Sequence, residues 1–167
     1  INLAGYDNGL YHQSTLFGLV IILTRIDKLS VLFGYLFNLA AFLGIIYSLH
    51  VKDTLQQTVT ILYAGSALGA VFAGDLITLL IFWEILAVTS AFLIWARRTE
   101  RSYKAATRYL IIQVISGLIL LTGVIIYIHQ TGETTFGFIG LKGLDSWMIF
   151  LAFGIKSAFP LLHNWLT

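Results

Sequence analysis

The chain has 167 residues, 58% of them hydrophobic and 11% charged, with a mean hydropathy of +0.87. Soluble domains carry roughly 25% charged residues, so this composition excludes a water-soluble fold of this size. Cysteine is absent, which excludes disulfides, iron–sulfur ligation and thiolate chemistry here and assigns any redox chemistry to a partner. The net charge of +2 says little, because five of the ten Lys and Arg residues fall within 97–108.

Residues 1–28 contain a nine-residue apolar run, 16–24, bounded by His12-Gln13 and Arg25. It is too short to span a bilayer and reads as a strand or as a segment lying on the outer face. Five apolar stretches follow, at 29–49, 59–73, 76–96, 109–128 and 147–165, and are predicted as transmembrane helices crossing a hydrocarbon core of about 30 Å. The predicted fold is an all-α polytopic membrane protein, with residues 1–28 as an extracytoplasmic segment and 29–167 as the transmembrane domain.

At 74–75, a glycine suited to ending one helix precedes an aspartate suited to capping the next, which predicts a tight hairpin. In the second stretch, Gly65-Ser-Ala-Leu-Gly69 is a GxxxG element that lets a neighbouring backbone approach closely. Lys and Arg concentrate in cytoplasmic loops, so Arg97, Arg98, Arg101, Lys104 and Arg108 place the 97–108 connector in the cytoplasm. The 74–75 corner and the glycine-containing 129–146 loop then lie outside, together with the residues before the first span, although Arg25 and Lys28 run against that last assignment.

Two charges stand inside the apolar stretches. Glu84 lies nine residues after Asp75 and Lys156 eleven after Asp145, which along a helix puts them ~13 Å and ~16 Å from those ends. Both are therefore near mid-depth. An ionisable residue at a helix centre costs about 2.5–3.5 kcal/mol, and such residues persist where they pair, line water or move charge. A static ion pair is the plain reading, but a buried pair often stabilises no more than packed apolar residues do. A group's hold on its proton depends on burial and on the distance to an opposite charge, so a lysine whose carboxylate partner moves can alternately hold and release a proton.

Pro160 stands four residues after Lys156 and cannot donate to its carbonyl, which predicts a kinked or discontinuous helix over Lys156–Pro160 with a hydrated pocket at the lysine. His163 lies two turns further on the same face as a relay candidate or an interfacial histidine. Gln113, Ser116 and Thr122 in the fourth stretch can hydrogen-bond water or a neighbouring helix. Lys104 and Arg108, four apart on one face, suit positive-inside anchoring as well as a relay. No span carries a mid-membrane histidine pair for haem, and no phosphate loop, zinc spacing or nucleophile elbow is present, so no cofactor is expected.

These residues resemble a known family. Arg25-Ile-Asp-Lys-Leu-Ser30, Ala73-Gly-Asp-Leu76 leading to Phe82-Trp-Glu-Ile85, Lys104-Ala-Ala-Thr-Arg-Tyr-Leu110, and Gly154-Ile-Lys-Ser-Ala-Phe-Pro160 through Trp165-Leu166 are similar to the antiporter-like membrane subunits. That family comprises the proton-pumping subunits of respiratory complex I, the D-type subunits of Mrp cation/proton antiporters and membrane subunits of membrane-bound hydrogenases. The resemblance implies the first five-helix repeat of an inverted-repeat fold. It implies that Glu84 and Lys156 are the central proton-handling pair, with Lys104 or Arg108 matching a basic residue that opens the intervening helix. The family places proline five residues after the lysine, one more than here.

The chain begins at Ile1 and stops at Thr167 directly after an apolar stretch, and is read as part of a longer polypeptide. The expected function is translocation of protons or sodium across the cytoplasmic membrane, within a redox-driven pump of the NADH-quinone oxidoreductase type or a multi-subunit cation/proton antiporter. The chain alone would catalyse no chemical reaction. Its partners would be other membrane subunits and lipid, with no nucleic acid. The alternative is a non-transporting membrane scaffold that anchors a peripheral redox module.

Overall fold

A computed structural model describes residues 9–16 and 18–160. Strands β1 (Gly9–Leu16) and β2 (Leu19–Ile26) precede helices α1 (Lys28–Ser48), α2 (Thr54–Phe72), α3 (Leu76–Trp95), α4 (Glu100–Thr131) and α5 (Leu144–Lys156). Three of these, α1, α3 and α4, are long and apolar enough to cross a membrane. The helices pack in sequence, α1 on α2, α2 on α3, α3 on α4 and α4 on α5. Their shared core is Leu76 and Trp83 from α3, Leu120 and Val124 from α4, and Ile149 and Ala152 from α5.

The molecule is mostly helical rather than all-α, because residues before α1 form an antiparallel hairpin with Leu16 opposite Leu19. Gly18 turns the chain with φ of 80°, a conformation that costs glycine nothing. The Val-Ile-Ile run of β2 and the end of that strand bury Ile21, Ile22 and Ile26. The hairpin is docked by its backbone as well. Ile22 N donates to the Asp75 carboxylate, Gly74 N donates to the Ile22 carbonyl at 3.0 Å, and Thr134 Oγ1 donates to the Val20 carbonyl at 2.7 Å.

Asp75 is the centre of this arrangement. The 74–75 corner joins α2 to α3 as the sequence predicts, and Asp75 caps α3 by accepting from Thr78 N at 2.7 Å and Thr78 Oγ1 at 3.2 Å. The residue is 0% exposed, so its carboxylate depends on donors supplied from inside the protein. A methyl group at Gly74 would run into Ile22, so only glycine lets β2 approach this corner. The GxxxG element works through one of its two glycines: a methyl at Gly69 would overlap the Phe82 ring of α3, whereas one at Gly65 would meet nothing.

Helix α4 starts earlier than the sequence suggests. Thr99 caps it with reciprocal bonds to Ser102 of 3.1 Å each, so the predicted 97–108 connector shrinks to its first three residues. Arg101, Lys104 and Arg108 then ride on the first turns of α4. Arg98 bonds Asp53 at 2.7 Å, and Asp53 itself caps α2, which ties the start of α2 to the α3–α4 corner.

Helix α5 ends at Lys156, and residues 157–160 form a turn, an interruption at the place where the sequence predicts a kinked or discontinuous helix. Ala158 takes a left-handed conformation with φ of 55°, and its N–H reaches the Ile155 carbonyl while Phe159 N reaches the Gly154 carbonyl at 2.9 Å. This pair of bonds is a Schellman closure. Phe159 folds over Gly154, where a methyl would overlap its ring. Pro160 disfavours helical geometry at the preceding residue, so its effect is a stop. The remainder of the 147–165 stretch beyond Pro160, including His163, lies outside the described residues.

At the start of α1, Asp27 accepts from Ser30 N at 2.8 Å and Leu29 N at 3.0 Å. The Ser30 N–H, aided by the Arg25 guanidinium, holds the Asp27 carboxyl below its usual range against the opposing effect of burial. A lowered carboxyl stabilises the fold above about pH 4 and loses that contribution as pH falls through its folded-state value. Asp27→Ala in the purified full-length protein is therefore less stable at neutral pH, and the difference from the unmodified protein shrinks as unfolding is followed into acid. Asp75→Ala removes the α3 cap and leaves Ile22 N unpaired, and is expected to cost roughly 2–4 kcal/mol. A fall in thermal stability, with earlier proteolysis at the hairpin, is the measurement.

Candidate functional site

The half-buried Glu84 and Lys156 come from α3 and α5, which flank α4. The backbones of α3 and α5 do not touch, and their side chains bridge the gap. Trp83 meets Phe153 edge to face with ring centroids 4.8 Å apart. Beside that contact, Lys156 Nζ donates to the Trp83 carbonyl at 3.0 Å and stands 4.4 Å from the centroid of the Trp83 ring. Trp83 is 7% exposed, so the ammonium rests on a fixed aromatic surface.

Glu84 turns the other way, onto α4. A methyl group at Gly117 would overlap its carboxylate, so the acid lies directly against the α4 backbone at a residue without a side chain. Among the described residues the ion pairs are Arg25–Asp27, Arg98–Asp53 and Lys104–Glu100. Glu84 and Lys156 are thus close enough to interact electrostatically without forming a pair within bonding distance. The static ion pair, the plain reading of these two charges, is not the arrangement seen.

Three buried polar atoms on α3 and α4 have no hydrogen-bond partner among the described residues: Glu84 Oε1, Trp83 Nε1 and Gln113 Oε1. Leaving a buried donor or acceptor unpaired costs about 1–3 kcal/mol each, so each of these atoms calls for a polar partner or a water. Gln113 is 1% exposed and lies one turn before Gly117 on the buried face of α4. Ser116 on the same face donates to the Ala152 carbonyl of α5 at 3.0 Å, which holds α5 against α4. Thr122 is spent on its own helix, donating to the Leu118 carbonyl at 2.8 Å.

The other predicted residues stand apart from this centre. Lys104 is exposed and paired with Glu100 at 2.7 Å, and Arg108 is exposed on the same side of α4. From Arg108 to Gln113 the rise along the helix is ~7.5 Å. Pro160 sits in the turn after α5. No group of three His, Asp or Glu side chains among the described residues could hold a metal ion.

Residues 73–167, which hold the corner, α3, α4 and α5, match the family described as NADH:quinone oxidoreductase/Mrp antiporter, TM. The chain belongs to this family. Among curated proteins it is similar to the Na(+)/H(+) antiporter A1 subunit of Staphylococcus haemolyticus, 35% identical over 108 residues, which are 60% of this chain and 13% of that protein. It is also similar to the Na(+)/H(+) antiporter A-type subunit of Alkalihalophilus pseudofirmus, 30% identical over 115 residues, or 64% of this chain and 14% of that protein. The chain therefore spans about a seventh of the length of these relatives, and both are A-type rather than D-type subunits by name.

The sequence pointed to Glu84 and Lys156 but not to Trp83 or Gly117 as their immediate surroundings. A usable signal for Gly117 existed, since Gln113, Ser116, Gly117, Leu120, Gly123 and Val124 recur at helical spacing and all are buried. Gly117→Ala should displace the Glu84 carboxylate or spread α3 from α4. The expected outcome is a larger fall in thermal stability of the full-length protein than Gly65→Ala causes, since the methyl at 65 meets open space, with thermal unfolding of both variants as the measurement.

Proposed function

We propose that this chain forms the core of a cation- and proton-translocating membrane subunit in which Glu84 and Lys156 handle the proton. The observation that carries the reading is that, among the described residues, two opposite charges stand inside a helical bundle without an ion pair, and a carboxylate oxygen is buried with no hydrogen-bond partner. Intramembrane ionisable groups that face the interior mark ion pathways. A carboxylate of this kind accepts a proton or a sodium ion, and the Na(+)/H(+) antiporter names of the relatives favour exchange between the two. In this reading the helices form a five-helix repeat with a partner repeat elsewhere in the polypeptide, and the protein works with other membrane subunits. The basic 97–108 region faces the cytoplasm and the β1–β2 hairpin the opposite side.

The scaffold alternative is separated by one experiment. Lys156→Met and Glu84→Gln are introduced into the full-length protein in its assembled complex, and cation-driven proton movement is measured in vesicles. Loss of transport by tenfold or more with intact assembly is the expected result. Unchanged transport, or a failure of assembly without a transport defect in what remains, would favour the scaffold.

A further inference from the structure

We propose that Trp83 is a positioning residue: its carbonyl and ring face form a second seat for the Lys156 ammonium, alternative to Glu84 and on the same turn of α3. The inference rests on the proton-handling reading of Glu84 and Lys156 and assigns the place where the lysine waits when it is apart from the acid.

The geometry supports two seats rather than one. The lysine is not free in a cavity, since Nζ donates to the Trp83 carbonyl at 3.0 Å and lies 4.4 Å from the ring centroid, within the ~6 Å over which an aromatic face attracts a cation. The ring is held by Phe153, one turn before Lys156 on the same helix, so the seat and its occupant are aligned by a single contact between α3 and α5. The other seat is Glu84, whose Oε1 is buried and has no hydrogen-bond partner among the described residues. Trp83 and Glu84 are consecutive on α3 but point about 100° apart, so the lysine passes from one to the other by a rotamer change of its long side chain together with any adjustment of α3 against α5.

The groups that face the lysine leave Glu84 as the charge that decides between the seats. From α3 the charged residue beside its seat is Glu84, next to Trp83 in the chain. The polar side chains on the buried face of α4 are neutral, among them Gln113, Ser116, which is bonded to the Ala152 carbonyl of α5, and Tyr109, whose hydroxyl is hydrogen-bonded to Ser90. Lys104 and Arg108 are exposed on another side of α4, and Asp145 lies at the far end of α5. A π face attracts the charged ammonium and not the neutral amine, so the Trp83 seat weights the protonated lysine during transport.

The test uses the full-length protein in its assembled complex, with cation/proton exchange in vesicles measured across a range of pH. Tryptophans carrying one to four fluorines replace Trp83, because fluorine weakens the π face while nearly preserving size. The pH profile is expected to move in one direction, step by step with fluorine number, and Trp83→Leu to move it further, by roughly 0.5–1 pH unit in all. Trp83→Phe should recover part of the displacement. A fluorinated series that superimposes on the unmodified protein overturns the proposal, and it decides even if Trp83→Leu fails to assemble. A flat series alongside an inactive Lys156→Met sinks the Trp83 seat alone. Exchange that survives Lys156→Met sinks the proton-handling reading and this inference with it.

Discussion

The Asp75 carboxylate is the interaction on which the rest of the structure depends. It sits at the corner between α2 and α3, fully buried, and takes donors from Ile22 and Thr78. One group thereby sets the start of α3, closes the α2–α3 hairpin and docks the β-hairpin. An unpaired carboxylate there would be expensive, so the corner holds only in the arrangement that supplies all its donors. The bond from Leu76 N to the Thr134 carbonyl at 3.0 Å brings the α4–α5 connection to the same point. The register of α3 is therefore fixed against both its neighbours, and with it the depth of Trp83 and Glu84.

From that anchored end, α3 offers two adjacent residues to two different helices. Trp83 faces α5 and Glu84 faces α4, because successive residues on a helix point about 100° apart. Glycine at 117 admits the carboxylate, and the aromatic pair of Trp83 and Phe153 bridges helices whose backbones stay apart. The end of α5 at Lys156 matters equally. In a continuous helix the lysine would lie in a helix interior, whereas the Schellman closure at Ala158 makes it the last residue of α5. Charged residues at helix breaks recur in membrane transporters because half-helix ends supply polar backbone groups that an intact helix withholds.

Much of the architecture was legible in the sequence. Apolar runs marked the helices, the 74–75 corner was readable from residue types that favour opposite helix ends, and Glu84 and Lys156 were conspicuous because charge in an apolar stretch is costly. Helix ends were less legible. Thr99 and Ser102 extend α4 well before its apolar run begins, since capping is independent of hydropathy. Pro160 signalled a disturbance near Lys156, yet whether a proline kinks or ends a helix depends on the residues that close the preceding turn.

What the sequence determined by itself is a helical membrane protein of this family with two charges inside apolar stretches, because hydropathy, length and the cost of burying charge are properties of the chain read one stretch at a time. What only the tertiary structure decided is that the two charges do not pair. Lys156 rests on Trp83 and Glu84 rests against Gly117. That outcome follows from how three helices are rotated about their axes, and those rotations are set by contacts between distant residues: Asp75 with Ile22, Ser116 with Ala152 and Trp83 with Phe153. No local pattern encodes them.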